Sequence, residues 1–215
     1  MVTRRTLLVT GLSAILAGCA RIPDALDGNE ERVNTPESCN SIDLDQYFSI
    51  PQSRENAVAD TLRLALQEIA ATPEGLSMIE TIYQRFEGEK ISVNIHHANQ
   101  AGGVDVDGRT PVLIIGTSDW ATQFAYYTDT GVQDVSLQRM IFHELYHLAN
   151  HVRPFVNGEN FSAELILRNE EEAVNATDAF MARYYGEPPR QDYSNNSIHG
   201  QTPYWDFARR NFTCS

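Results

Sequence analysis

Residues 143–147 read His-Glu-Leu-Tyr-His, two imidazoles four positions apart with a carboxylate between them. On a helix this spacing separates the histidines by about 40° in azimuth and about 6 Å in rise. Both rings can then turn one nitrogen toward a single Zn²⁺. Glu144 is rotated off the ligand face, so it is placed to act on a water activated by the metal rather than on the metal itself. HExxH is a short motif that also arises by chance on amphipathic helices, so neighbouring residues must carry the rest.

A catalytic zinc ion usually takes three protein ligands and keeps one position open. His151 continues the i, i+4, i+8 series, yet on a continuous helix it lies about 12 Å along the axis from His143. That is too far to share one ion, and its expected place is beside the ligands or in the cleft. A metzincin would need histidine six residues after His147, where this chain has Arg153. The third ligand is expected from the next helix, at Glu170-Glu171-Glu172. Glu170 shares a helical face with Ile166, Val174, Thr177 and Met181, so it points inward, where a carboxylate must be paired or bind a metal. Glu171, on a neighbouring stripe with Leu167 and Asp178, is the alternative. Glu172 is the most exposed of the three.

These residues need elements to position them. Val58, Leu62, Leu64, Leu66, Ile69 and Ala70 predict an amphipathic helix from Asn56 to Ala70, ended by Thr72-Pro73. A second helix is expected from Pro73 to Phe86, stopping at Gly88. Ile91-Ser-Val-Asn-Ile alternates as a strand, Ala101-Gly-Gly and Asp107-Gly108 read as turns, and Pro111-Val-Leu-Ile-Ile is a second strand ending at Gly116. After a loop containing Gly131, Asp134 or Ser136 can cap a helix through Leu137, Met140, Ile141, Leu145 and Leu148, which Arg153-Pro154 ends. A long helix from Ser162 to Tyr185 follows, closed by Gly186-Glu-Pro-Pro. The expected class is α+β, with N-terminal helices, a small β-sheet, the HExxH helix and a following glutamate helix.

This order, with Gly186-Glu-Pro-Pro-Arg190-Gln-Asp-Tyr193 behind the glutamates, resembles the effector-type zincin peptidases that pathogenic bacteria deliver into host cells, and related toxin domains. The resemblance runs from about Lys90 to Tyr193. Asn169-Glu170 is also similar to gluzincins, in which the ligand glutamate follows an asparagine. The family's Glu-Asn-x-x-Arg stretch is only approximated, by Asp178 and Arg183. The resemblance implies a zincin-like fold, zinc held by His143, His147 and a glutamate of the Glu-rich segment, and a protein or peptide substrate. In such a mechanism Glu144 is the general base, and the developing oxyanion needs a further donor. Tyr193 or Arg190 are the candidates, with Tyr146, Tyr184 and Tyr185 as rivals. Val112 to Ile115 would lie at the cleft edge and pair with an extended substrate.

The address is written at the other end. Met1-Val-Thr-Arg-Arg and the apolar run Thr6 to Leu16 have the layout of an export signal, too short to span a bilayer. Leu16-Ala17-Gly18-Cys19 resembles the lipobox of bacterial lipoproteins, in which the signal is cut before the cysteine and its thiol is lipidated. The expected organisation is a signal peptide over 1–18, a lipid-anchored tether over 19–45 and the metallopeptidase domain over 46–215. Cleavage there would leave 14 basic against 29 acidic residues, net −15 instead of −13. A charge this negative argues against nucleic acid and against electrostatic binding to anionic lipid. The N-terminal lipid would be the membrane contact, in a bacterial envelope and with Ala20 favouring the outer membrane, facing the periplasm or the cell surface. Cys39 and Cys214 are expected to pair in an oxidising compartment, a link worth up to about 5 kcal/mol; two separate thiols is the alternative. Two other functional classes stay open: a non-catalytic lipoprotein using the domain to bind a protein partner, and a zinc amidase acting on cell-wall material.

Overall fold

Apolar residues recurring at i, i+4 and i+7 decide which helix faces are buried. In the computed structural model of the chain, Leu62, Leu66 and Ile69 on one helix and Ile141, Leu145 and Leu148 on another are fully buried at that spacing. The structure describes residues 42–51, 56–96, 101–118, 123–152, 162–191, 198–200, 204 and 212. A short helix α1 (Leu44–Tyr47) and strand β1 (Phe48–Ser49) precede two closely connected helices, α2 (Asn56–Ala70) and α3 (Pro73–Arg85). Thr72 caps α3: its Oγ1 accepts from Gly75 N at 3.0 Å and donates to Ile69 O at 2.7 Å. Gly75 is needed there, because a Cβ would lie 2.0 Å from Ile69 O.

The sheet follows as β2 (Ile91–His96), β3 (Gly102–Asp107) and β4 (Thr110–Gly116), in spatial order β1-β2-β4-β3. β2 runs parallel to both β1 and β4, and β3 folds back antiparallel on the outside of β4. Ile91 and Val93 of β2, and Leu113 and Ile115 of β4, face the core on alternate positions. A second sheet is the hairpin β5 (Phe124–Thr128) and β6 (Gly131–Asp134), with β7 (Ile198–His199) on the other side of β5. Two helices complete the architecture: α4 (Leu137–Asn150), which carries the HExxH motif, and α5 (Ala163–Tyr185), which carries the glutamates. The class is therefore α+β, with the expected order of helices, strands and ligand-bearing helices.

Two expectations change. Ala101-Gly-Gly is not a turn but the entry to β3, and the Gly131 region is a hairpin rather than an open loop. The glycine at 102 marks a close approach: a Cβ there would lie 2.5 Å from Met140 Sδ and 3.2 Å from Glu144 Oε1. The helix starts and stops follow local chemistry. Ser136, not Asp134, caps α4, its Oγ accepting from Arg139 N at 3.3 Å. Ser162 caps α5 in the same way, and Gly186 ends it in the left-handed conformation, φ 63°. Leu44, within the segment read from composition as tether, is buried in the core. Among the described residues no helix is long and apolar enough to cross a membrane. Cys19, Cys39, Cys214 and Tyr193 lie outside the described residues.

Candidate metal centre

The ligand-bearing faces of α4 and α5 meet because the helices pack by their apolar faces. Phe142 and Phe180 stack with centroids 3.8 Å apart and planes 15° from parallel. His143 and His147, on the neighbouring stripe of α4, then look across at Glu170. Their Nε2 atoms are 3.1 Å apart. Glu170 Oε2 lies 3.4 Å from His143 Nε2, and its Oε1 3.3 Å from His147 Nε2. Among the described residues these three form the one cluster of potential metal-ligating groups.

The donor set fits a metal. Ligand atoms about 2.0–2.1 Å from a tetrahedral ion are separated by roughly 3.3 Å, which is the spacing found between these donors. Two ring nitrogens and a carboxylate also make a poor hydrogen-bonding cluster, since two bare imidazole nitrogens facing a carboxylate present acceptors alone. A cation removes that conflict. Without an ion, protons on the rings take the cation's place. Burial opposes ionisation of Glu170, but the hydrogen bonds and charges of His143 and His147 hold its carboxyl well below the usual carboxylate range. Burial likewise pulls His147 down, yet its bond to Glu170 and the Glu144 and Glu170 charges leave it above the ordinary histidine value.

Glu144 sits on the adjoining flank of α4, against β3, where Gly102 leaves room for its side chain. Burial drives its carboxyl pKa up, with the nearby histidines opposing and Glu170 adding to the rise. Such a carboxyl is a better proton acceptor than a solvated one. Glu171 is exposed, and Glu172 reaches His151, with 3.2 Å between Oε2 and Nε2. The geometry thus separates the three glutamates, and Glu170 alone joins the two histidines.

Several residues stand elsewhere than expected. β4, expected at the cleft edge through Val112 to Ile115, is interior, paired with β2 on one side and β3 on the other. The edge strand beside α4 is β3. Gly116 N donates to Ala101 O at 2.7 Å, so by antiparallel alternation the backbones of Gly102, Val104 and Val106 face away from β4. The Val106 N–H is taken by its neighbour Asp105, Oδ1 at 2.8 Å. The hydroxyls of Tyr184 and Tyr185 are engaged with Glu74 of α3 and Glu68 of α2, which removes both from the set of oxyanion donors. Tyr146 lies edge-on to the His151 ring, centroids 5.6 Å apart. Arg190 is placed through its backbone, its N–H donating to Asp178 Oδ2 at 2.9 Å.

That bond belongs to a device the motif reading missed. Arg139, one turn before His143, is buried, with Nε 2.9 Å from Glu187 Oε2 and Nη1 bonded to Asp178. Its Nη2 reaches Pro188 O at 3.3 Å, and the guanidinium covers the Tyr126 ring at 4.3 Å. One side chain therefore ties α4, α5, the segment after α5 and β5 together. The available signal was an arginine on the apolar face of an amphipathic helix, followed by an aspartate on the glutamate helix. Asp178 and Arg183 do not pair with each other: Asp178 serves Arg139, and Arg183 serves Glu74.

No protein-family model and no curated protein matches this chain. Among solved structures it is similar to the Salmonella zinc metalloprotease effector GtgA, with 13% identity and a TM-score of 0.39 over 68% of this chain and 75% of that one.

Proposed function

We propose that the protein is a zinc-dependent endopeptidase. The observation that carries this reading is the convergence of His143 Nε2, His147 Nε2 and the Glu170 carboxylate at tetrahedral spacing, with Glu144 on the adjoining flank. Two imidazoles and a carboxylate suit zinc among the common divalent metals. When bound, zinc supplies a Lewis acid that polarises a carbonyl and acidifies water. The chain does the rest. Glu144 accepts the proton of the attacking water and passes it to the departing amine, a role favoured by its raised pKa. The outward edge of β3 offers the main-chain N–H and C=O of Val104 to an extended peptide, on the strand where Gly102 leaves room for Glu144. Arg190, whose backbone N–H is held by Asp178, or Tyr193 supplies the oxyanion donor.

The test is Glu144→Gln. The variant should retain about one zinc per chain, the count for a single site, and lose cleavage of unstructured protein by at least about 10²-fold. Full activity in that variant would sink the mechanism. Loss of zinc with activity would show instead that Glu144 is structural. The envelope address is proposed from Leu16-Ala-Gly-Cys19 alone. Cys19→Ser should leave the precursor unprocessed or free of the membrane, and mass spectrometry of the mature N-terminus decides it: an unmodified Cys19 rules out the lipid.

A further inference from the structure

The geometry points to His151 and Glu172 as a positioning pair that sets which ring nitrogen of His147 faces the metal centre. The inference rests on the site proposed above. His151 closes α4, its backbone N–H donating to His147 O at 2.8 Å, and its ring folds back over the preceding turn. There its Nδ1 lies 2.9 Å from His147 Nδ1, and its Nε2 lies 3.2 Å from Glu172 Oε2. A carboxylate only accepts, so the proton of a neutral His151 sits on Nε2 and leaves Nδ1 bare. The proton between the two rings then belongs to His147 Nδ1. What remains is the Nε2 lone pair of His147, which points at His143 and Glu170.

Metal-bound histidines commonly donate their second N–H straight to a carboxylate or carbonyl. Here an imidazole stands between ligand and carboxylate. Among the described residues, the other groups around it include the Tyr146 ring, edge-on to His151, and Arg168, whose Nε is 3.8 Å from the other Glu172 oxygen. The carboxylate comes from α5, two residues after Glu170. A single half-turn of α5 thus touches the centre twice, once from the front through Glu170 and once from behind through Glu172. This gives the third histidine of the series a function that its distance from His143 along the helix would not suggest.

Two measurements on the full-length chain test the pair. In ¹⁵N-labelled protein, the proton of His151 should reside on Nε2, with a scalar coupling across the Nδ1–Nδ1 bond, whether or not zinc is present. In chelator competition, His151→Leu should weaken zinc binding by about 10–100-fold. His151→Gln, whose amide oxygen can accept the same proton, should stay within about threefold of the parent. Glu172→Leu, which removes the acceptor on an exposed side chain, should weaken binding in the parent and add nothing in the His151→Leu background. A His151 ring protonated on Nδ1 overturns the inference, as does a folded His151→Leu chain with parental affinity or a His151→Gln chain as weak as the leucine variant. A correctly protonated His151 in a chain that takes up no zinc overturns the metal reading and leaves the pair standing.

Discussion

At the scale of single residues, three consecutive glutamates have three different fates. Glu170 faces the two histidines, Glu171 is exposed, and Glu172 binds His151. Helical periodicity separates them because 100° per residue, about the ideal α value, carries each side chain to a new face. Glu170→Ala should lower zinc affinity by at least about 10²-fold, since two histidines alone leave the ion open and hydrated. Glu171→Ala should bind zinc as the parent does. Chelator competition on both variants checks this, and a loss confined to the Glu171 variant would move the ligand by one position. The spacing of His143, Glu144 and His147 was readable because local helix geometry alone brings it about; for Glu170 the helical period gave only an inward face, and the packing of α5 on α4 supplies its meeting with the histidines. The engagement of Tyr184 and Tyr185 was not, since their partners lie over a hundred positions away in sequence.

At the scale of elements, helices were legible and the sheet only half so. Periodicity, Thr72-Pro73, Ser136, Ser162 and Gly186 located α2 to α5 to within a residue or two, because caps and apolar stripes are local signals. β3 was hidden by Gly102-Gly103, which look like turn residues but serve a strand pressed against α4. Which strand forms the edge is a matter of pairing partners, and no local pattern in β4 announces that β3 covers it. The Arg139 clamp belongs to this scale too. Arg139→Ala would leave the buried Asp178 and Glu187 carboxylates without their cation, and breaking a buried pair costs about 3–5 kcal/mol. Thermal or denaturant unfolding should register that loss. A variant within about 0.5 kcal/mol of the parent, the range of ordinary surface changes, would mean that the guanidinium does not brace the helices.

At the scale of the whole molecule, the proposed metal centre sets metal and protons in competition for the same atoms. His147 titrates above its ordinary 6.5. Its protonated form stabilises the metal-free fold fully below 6.5, and that contribution disappears as pH rises through the raised folded value. Zinc needs the bare Nε2, so its stabilisation runs the opposite way and grows over the same interval. Glu170, depressed from 4.5, stays ionised throughout and adds no slope there. The melting temperature with zinc minus that without should therefore widen as pH rises from 6.5 through the raised His147 value. Calorimetry at matched zinc activity checks it, and an unchanged difference would show that His147 does not exchange its proton for the ion.

The Arg139 clamp has a kinetic consequence as well. In many small metal domains the ion itself gathers the ligands, so that its removal unfolds the chain. Here α4 is joined to α5 and the segment behind it by a guanidinium, two carboxylates and a stacked aromatic pair, none of which belongs to the donor set. The donors are thus assembled before the ion arrives, and uptake is a simple encounter between zinc and a finished cleft. Restoring zinc to a chelated chain should recover activity in one concentration-dependent phase, without a slow step of conformational repair.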